Sequence, residues 1–134
     1  MNKKRILMVD DDACACRLLK MLLERTGGYE VRDENNSAHA LAVARQFRPD
    51  FIILDVGMPV LDGGAVASLL RSDAELERVP VLFLTSIVSE RETGETELIS
   101  GGYEFMAKPV NIGRLVRYIE CILAQSPASH SPLP

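Results

Sequence analysis

The sequence predicts an α/β domain, a doubly wound five-stranded parallel sheet with helices on both faces. Three observations carry this prediction. Five short β-rich apolar runs alternate with helix-patterned stretches, the signature of strand–helix–strand units. One run, Phe51-Ile52-Ile53-Leu54, is apolar at every position, as a strand covered on both faces must be. The chain has 134 residues, 47% apolar and 25% charged, which suits one domain with a full core and excludes wholesale disorder.

Each element has a local reason. Ile6-Leu7-Met8-Val9 is the first strand. The first helix follows, with Cys14, Leu18, Met21 and Leu22 read as its apolar side, and Gly27-Gly28 ends it. Tyr29-Glu30-Val31 is a weak second strand. Ser37 is placed to cap a second helix carrying Ala40, Leu41, Val43, Ala44 and Phe47. Arg48-Pro49-Asp50 breaks the chain before the third strand. Asp62-Gly63-Gly64 opens a third helix through Val66, Leu69 and Leu70. Pro80 precedes the fourth strand, Val81 to Leu84. The polar stretch from Ser89 to Ser100 reads as a poor fourth helix, weakened by Gly94 and stopped by Gly101-Gly102. Tyr103 to Ala107 is the fifth strand, and Asn111 caps a last helix striped by Leu115, Ile119, Ile122 and Leu123. Residues 1–124 form the domain, and the Ser/Pro-rich segment 125–134 is expected to be a disordered tail.

Charge and composition exclude several functions. A net charge of −4 gives no basic face for direct nucleic-acid binding. No apolar run approaches the roughly 20 residues of a membrane span, and the apolar stretch after Lys3-Lys4-Arg5 is too short for a signal peptide. Cys14, Cys16 and Cys121 are an odd number, and on a helix the first two point apart, so no disulfide framework or shared metal is indicated. A cytoplasmic protein is expected.

In a parallel doubly wound sheet, ligands sit at the carboxyl ends of the strands. Strand one there delivers Asp10-Asp11-Asp12, strand three Asp55, strand four Thr85-Ser86 and strand five Lys108-Pro109. Two like charges about 4 Å apart repel by about 4 kcal/mol at an effective dielectric near 20, so such a rim needs compensation. Lys108, the only lysine after Lys20, supplies one positive charge. A hard divalent ion, Mg²⁺ or Mn²⁺, suits the remaining oxygen donors, with no His or Cys beside them in the sequence. Asp12 directly precedes a helix and reads as its N-cap, and Asp62 as a turn residue.

Val9-Asp10-Asp11, Asp55 with Pro59 and Asp62-Gly63 after it, Thr85, and Lys108-Pro109 resemble, in order and spacing, the receiver domain of two-component response regulators. The resemblance covers roughly residues 4–124. It implies a flavodoxin-like strand order of 2-1-3-4-5. It implies Asp55 as phosphoacceptor, fed by a histidine kinase or a phosphotransfer protein. Asp10, Asp11, Asp55 and the backbone carbonyl of Gly57 would hold Mg²⁺, with Lys108 and Thr85 contacting the phosphoryl group. Thr85 and Phe105 would form the switch, and Lys108-Pro109 would be a cis peptide. The output would act in trans, through a face made of the fourth helix, fifth strand and fifth helix, on an unknown protein target. Such a receiver catalyses only its own phosphorylation and slow dephosphorylation. Gly57 and Ile87 stand where the family tunes acyl-phosphate lifetime, and neither side chain can orient water. The segment Glu90–Glu104 carries a net charge of −4, a candidate acidic docking surface or simply a solvated face.

Three rival readings are weaker. An FMN-binding module would put a phosphate cradle, not three aspartates, after strand one. An aspartyl-phosphate phosphatase would need a second acid soon after Asp55, where Val56-Gly57 stand. A phosphorylation-independent pseudo-receiver would be an interaction module only.

Overall fold

Six strands form a single sheet in the computed structural model, which describes residues 3–85, 97–100 and 103–125. In chain order they are β1 (Lys4–Val9), β2 (Tyr29–Glu34), β3 (Phe51–Asp55), β4 (Val81–Thr85), β5 (Glu97–Ser100) and β6 (Tyr103–Ala107). The helices are α1 (Ala13–Arg25), α2 (Ala40–Phe47), entered through a 3₁₀ turn at Ser37–His39, α3 (Gly63–Arg71) and α4 (Ile112–Gln125). The sheet order is β2-β1-β3-β4-β6-β5. The five strands expected from the sequence run parallel in the order 2-1-3-4-5, with β6 as the fifth.

The sixth strand is a correction. Residues 97–100, read as the end of a poor helix, pair antiparallel with β6, Leu98 opposite Phe105. Leu98-Ile99 is a β-compatible pair, and the following Gly101-Gly102 reads as a hairpin signal as readily as a helix stop. The rest of the expected fourth helix lies outside the described residues, as do Ile87 and the segment 126–134. Gln125, assigned to the tail, instead closes α4.

Alternation along the strands divides the core. Ile6, Met8, Phe51, Ile53, Leu82, Leu84 and Met106 face α1 and α4. Leu7, Val9, Ile52, Leu54 and Phe83 face α2 and α3. Each fully buried Leu, Ile or Phe contributes roughly 1.5–3 kcal/mol. Phe51 adds an edge-to-face contact with Tyr118, ring centroids 6.1 Å apart.

Two helix readings need correction. The buried side of α1 is Cys16, Leu19 and Leu23, whereas Cys14, Leu18 and Met21 are exposed and Leu22 is half-buried. Apolar residues nearly encircle this helix, so two stripes satisfied the same periodicity. Ser37 does not cap α2. The Asn36 side chain caps the 3₁₀ turn by accepting from Ala38 N at 3.0 Å, and the Ser37 hydroxyl turns elsewhere. Asp12 and Asp62 cap α1 and α3, accepting from Ala15 N and Ala65 N at 3.1 and 2.8 Å. Asn111 Oδ1 accepts from Arg114 N at 3.0 Å at the start of α4.

Candidate functional site

Strand register brings the predicted residues to one rim. Val9 lies beside Leu54, Asp55 beside Leu84, and Thr85 beside Ala107. Asp10, Asp55, Thr85 and Lys108 therefore stand at the carboxyl ends of four neighbouring parallel strands. Lys108 N donates to Thr85 O at 2.9 Å, and Asp10 N to Glu34 O at 3.1 Å, which fixes the backbone on both sides.

Three carboxylates and one ammonium meet there. Lys108 Nζ donates to Asp55 Oδ1 at 2.8 Å and to Asp10 Oδ2 at 3.2 Å. Carboxylate oxygens of Asp10, Asp11 and Asp55 all lie within 4.8 Å of one another. Asp10 is 3% exposed and Asp55 8%, while Asp11 faces solvent. The remaining Asp10 oxygen accepts from Asp12 N at 2.9 Å.

Burial raises the Asp10 carboxyl above its ordinary range, and the Asp55 charge adds to it. The Asp12 amide and Lys108 oppose that rise without cancelling it. Burial alone would lower the Lys108 ammonium, but its hydrogen bonds and the charges of Asp55 and Asp10 outweigh it, so its pKa is raised. The rim thus lacks positive charge. Its donors are all oxygens, and the separations leave room for one hard cation, so the residues fit Mg²⁺ or Mn²⁺.

Thr85 is buried at the end of β4, and Lys108-Pro109 is a cis peptide. Phe105 is half-buried and stacks on Phe83, centroids 4.9 Å apart at 19°. Gly57 is exposed, and a Cβ placed there would meet nothing within 4 Å. The three cysteines are free. Cys16 lies under the site, its Sγ 3.6 Å from Asp10 O, and burial with the Asp10 charge pushes its thiol up to about 12, so it stays protonated.

Sequence reasoning missed three supports. Asn35 Nδ2 donates to Asp10 O at 2.9 Å. It follows the end of β2, which runs to Glu34 rather than stopping at Val31, so Asn35 had not been placed on the rim. At Gly63 a Cβ would stand 2.6 Å from Asp55 O and 3.0 Å from the Phe83 ring. Only glycine lets α3 approach so closely behind Asp55. Ser37 reaches across to the loop after β3: its Oγ donates to Pro59 O at 3.2 Å and accepts from Leu61 N at 3.1 Å.

The response regulator receiver domain profile matches residues 6–120. The chain belongs to the response regulator receiver family. Among curated proteins similar to this receiver is the polar-differentiation response regulator DivK of Brucella anthropi, 31% identical over 124 residues, covering 92% of this chain and 98% of DivK. The transcriptional regulatory protein PrrA of Mycobacterium leprae is 36% identical over 128 residues. That match covers 96% of the receiver but 53% of PrrA, so the chain spans about half of that regulator. A response regulator from Desulfuromonas acetoxidans has a TM-score of 0.77 at 28% identity, covering 90% of this chain and 97% of that one. The chemotaxis response regulator CheY4 of Vibrio cholerae has a TM-score of 0.75 at 28% identity, covering 90% and 99%. The receiver is thus a signalling domain of two-component systems. Among its described residues no helix is long and apolar enough to cross a membrane.

Proposed function

We propose that this receiver takes a phosphoryl group onto Asp55 from a histidine kinase or phosphotransfer protein, and signals in trans to a protein target. The observation that carries the proposal is the Lys108 ammonium held between Asp10 and Asp55, with Asp11 completing a tight acid cluster. A stable core has no use for such an arrangement, and a phosphorylation-independent module would not need it.

In the reaction an Asp55 carboxylate oxygen attacks phosphorus. The bond from phosphorus to the donor imidazole nitrogen breaks, its electron pair stays on that nitrogen, and an acyl phosphate forms on Asp55. Asp10, Asp11, Asp55 and the Gly57 carbonyl would hold Mg²⁺, which supplies charge neutralisation to the transferring group when bound. Lys108 follows the new phosphoryl as its counter-ion, since it already reaches Asp55 Oδ1. Thr85 would donate its hydroxyl to a phosphoryl oxygen, biasing a pre-existing equilibrium that Phe105 reports to the output face. Among the described residues that face comprises β6 and α4. The receiver is no general catalyst: it turns over only its own phosphate.

The test is incubation with acetyl phosphate and Mg²⁺, followed by reaction with hydroxylamine. An acyl phosphate yields an Asp55 hydroxamate in the wild type and none in Asp55→Asn. Phosphate that survives hydroxylamine, or labels another residue, would contradict the assignment.

A further inference from the structure

The loop from Val56 to Asp62 contains a backbone feature that its own sequence does not favour. Val60 has φ +67°, a left-handed conformation that a β-branched residue rarely adopts, and its side chain is 81% exposed. Leu61 N donates to Pro59 O at 2.6 Å, closing a three-residue turn of the uncommon positive-φ kind. No buried contact of the Val60 side chain compensates the strain.

Ser37 does. It is 4% exposed and lies on a different element, the 3₁₀ turn before α2. Its hydroxyl brackets Val60, donating to the carbonyl before it and accepting from the amide after it. Serine's one donor and two acceptor sites match this pair of backbone groups. Beyond the turn, Val56 N donates to Leu84 O and Gly63 N to Val56 O, both at 3.1 Å, and Met58 is buried. Gly57 itself is exposed with open space around it. The position of the Gly57 carbonyl therefore depends on how the rest of the loop is held.

We infer that Ser37 is a positioning residue for the cation site: its hydroxyl clamps the strained turn at Val60 and so sets the Gly57 carbonyl for the ion. The inference rests on the proposed phosphoacceptor reading, and deepens it by naming a residue outside the acid cluster that tunes ion affinity.

A double-mutant cycle of Ser37→Ala and Val60→Gly tests it, with two readouts. The first is hydrogen exchange of the Leu61 amide by NMR without metal. The second is Mg²⁺ affinity by calorimetry, with acetyl-phosphate phosphorylation followed at limiting and saturating Mg²⁺. Ser37→Ala should speed Leu61 exchange and weaken Mg²⁺ binding roughly 3- to 10-fold, the worth of one net hydrogen bond. Phosphorylation should slow at limiting Mg²⁺ and recover at saturation. Glycine adopts positive φ without strain, so in the Val60→Gly background Ser37→Ala should change Mg²⁺ affinity much less. Unchanged Leu61 exchange and Mg²⁺ affinity in Ser37→Ala would overturn the clamp, as would an equal cost in both backgrounds. A wild type that binds no Mg²⁺ would instead overturn the phosphoacceptor reading and the clamp's purpose, while Leu61 exchange still reports whether Ser37 holds the turn.

Discussion

Lys108 contacts two buried acids, Asp10 and Asp55, and its removal should be felt even without phosphate. Lys108→Met keeps the length of the side chain and deletes the charge. Without Mg²⁺ it should cost roughly 1–3 kcal/mol at pH 7, less than a fully buried pair because the lysine is partly exposed. The sign of the pH dependence follows from the raised folded-state pKa. The lysine's contribution is fully present below its unfolded value near 10.4 and is lost as pH rises through the higher folded value. Urea melts of wild type and variant should therefore differ fully at neutral pH and begin to converge only above the unfolded value, as pH rises through the raised folded one. A second residue-scale prediction concerns phosphate lifetime. Gly57 has open space, and the family resemblance puts Gly57 and Ile87 at the positions that tune acyl-phosphate lifetime, so Gly57→Asn combined with Ile87→Glu should speed its hydrolysis roughly tenfold. A wild type that already loses phosphate at the rate of the double variant would remove the argument. At this scale the sequence was informative wherever a charge stood at a strand end, because a carboxylate after four apolar residues has no inexpensive structural use. It was silent on Ser37, whose capping propensity pointed to a role that Asn36 fills, and on Asn35, which lay beyond the strand end as read.

Elements place these residues, and at Gly63 two of them pack too closely for any side chain. The first turn of α3 presses on the Asp55 carbonyl and the Phe83 ring, with no space for a methyl group. Gly63→Ala should destabilise the fold by roughly 1–3 kcal/mol, because the obstructing atom is backbone and cannot rotate away. It should also displace Asp55, so phosphorylation slows in protein that remains folded. Equilibrium unfolding in urea, paired with the acetyl-phosphate rate, separates the two effects. The parallel strands and their helices were legible because their apolar runs are bounded by glycine, proline or caps. The misread face of α1 and the missed β5 share one cause: apolar residues there satisfy more than one period, and only tertiary contacts choose between them. Leu98-Ile99 becomes a strand because β6 offers an open edge to pair with.

Across the molecule, the account predicts a folded state that tolerates an unfavourable rim in order to bind an ion there. An ion that binds the folded state only stabilises it, so Mg²⁺ at about a hundredfold over its Kd should add about 2.7 kcal/mol, a rise of roughly 5–10 °C in Tm. Asp55→Asn removes one of three clustered charges. It should raise Tm in metal-free buffer and shrink the Mg²⁺-induced rise. Calorimetric scans with and without EDTA check both, and no change in either case would mean that the acids do not share a field. The fold and the rim were readable together because in a doubly wound sheet the order of strands decides which side chains meet. Once the five parallel strands were recognised, Asp10, Asp55, Thr85 and Lys108 had to converge.

The most direct test of the central claim is the intact mass of the protein after treatment with acetyl phosphate and Mg²⁺, beside Asp55→Asn and an EDTA control. The account predicts one added phosphoryl group in the wild type and none in either control. A wild type whose mass never changes, or a gain that persists in Asp55→Asn, would contradict it.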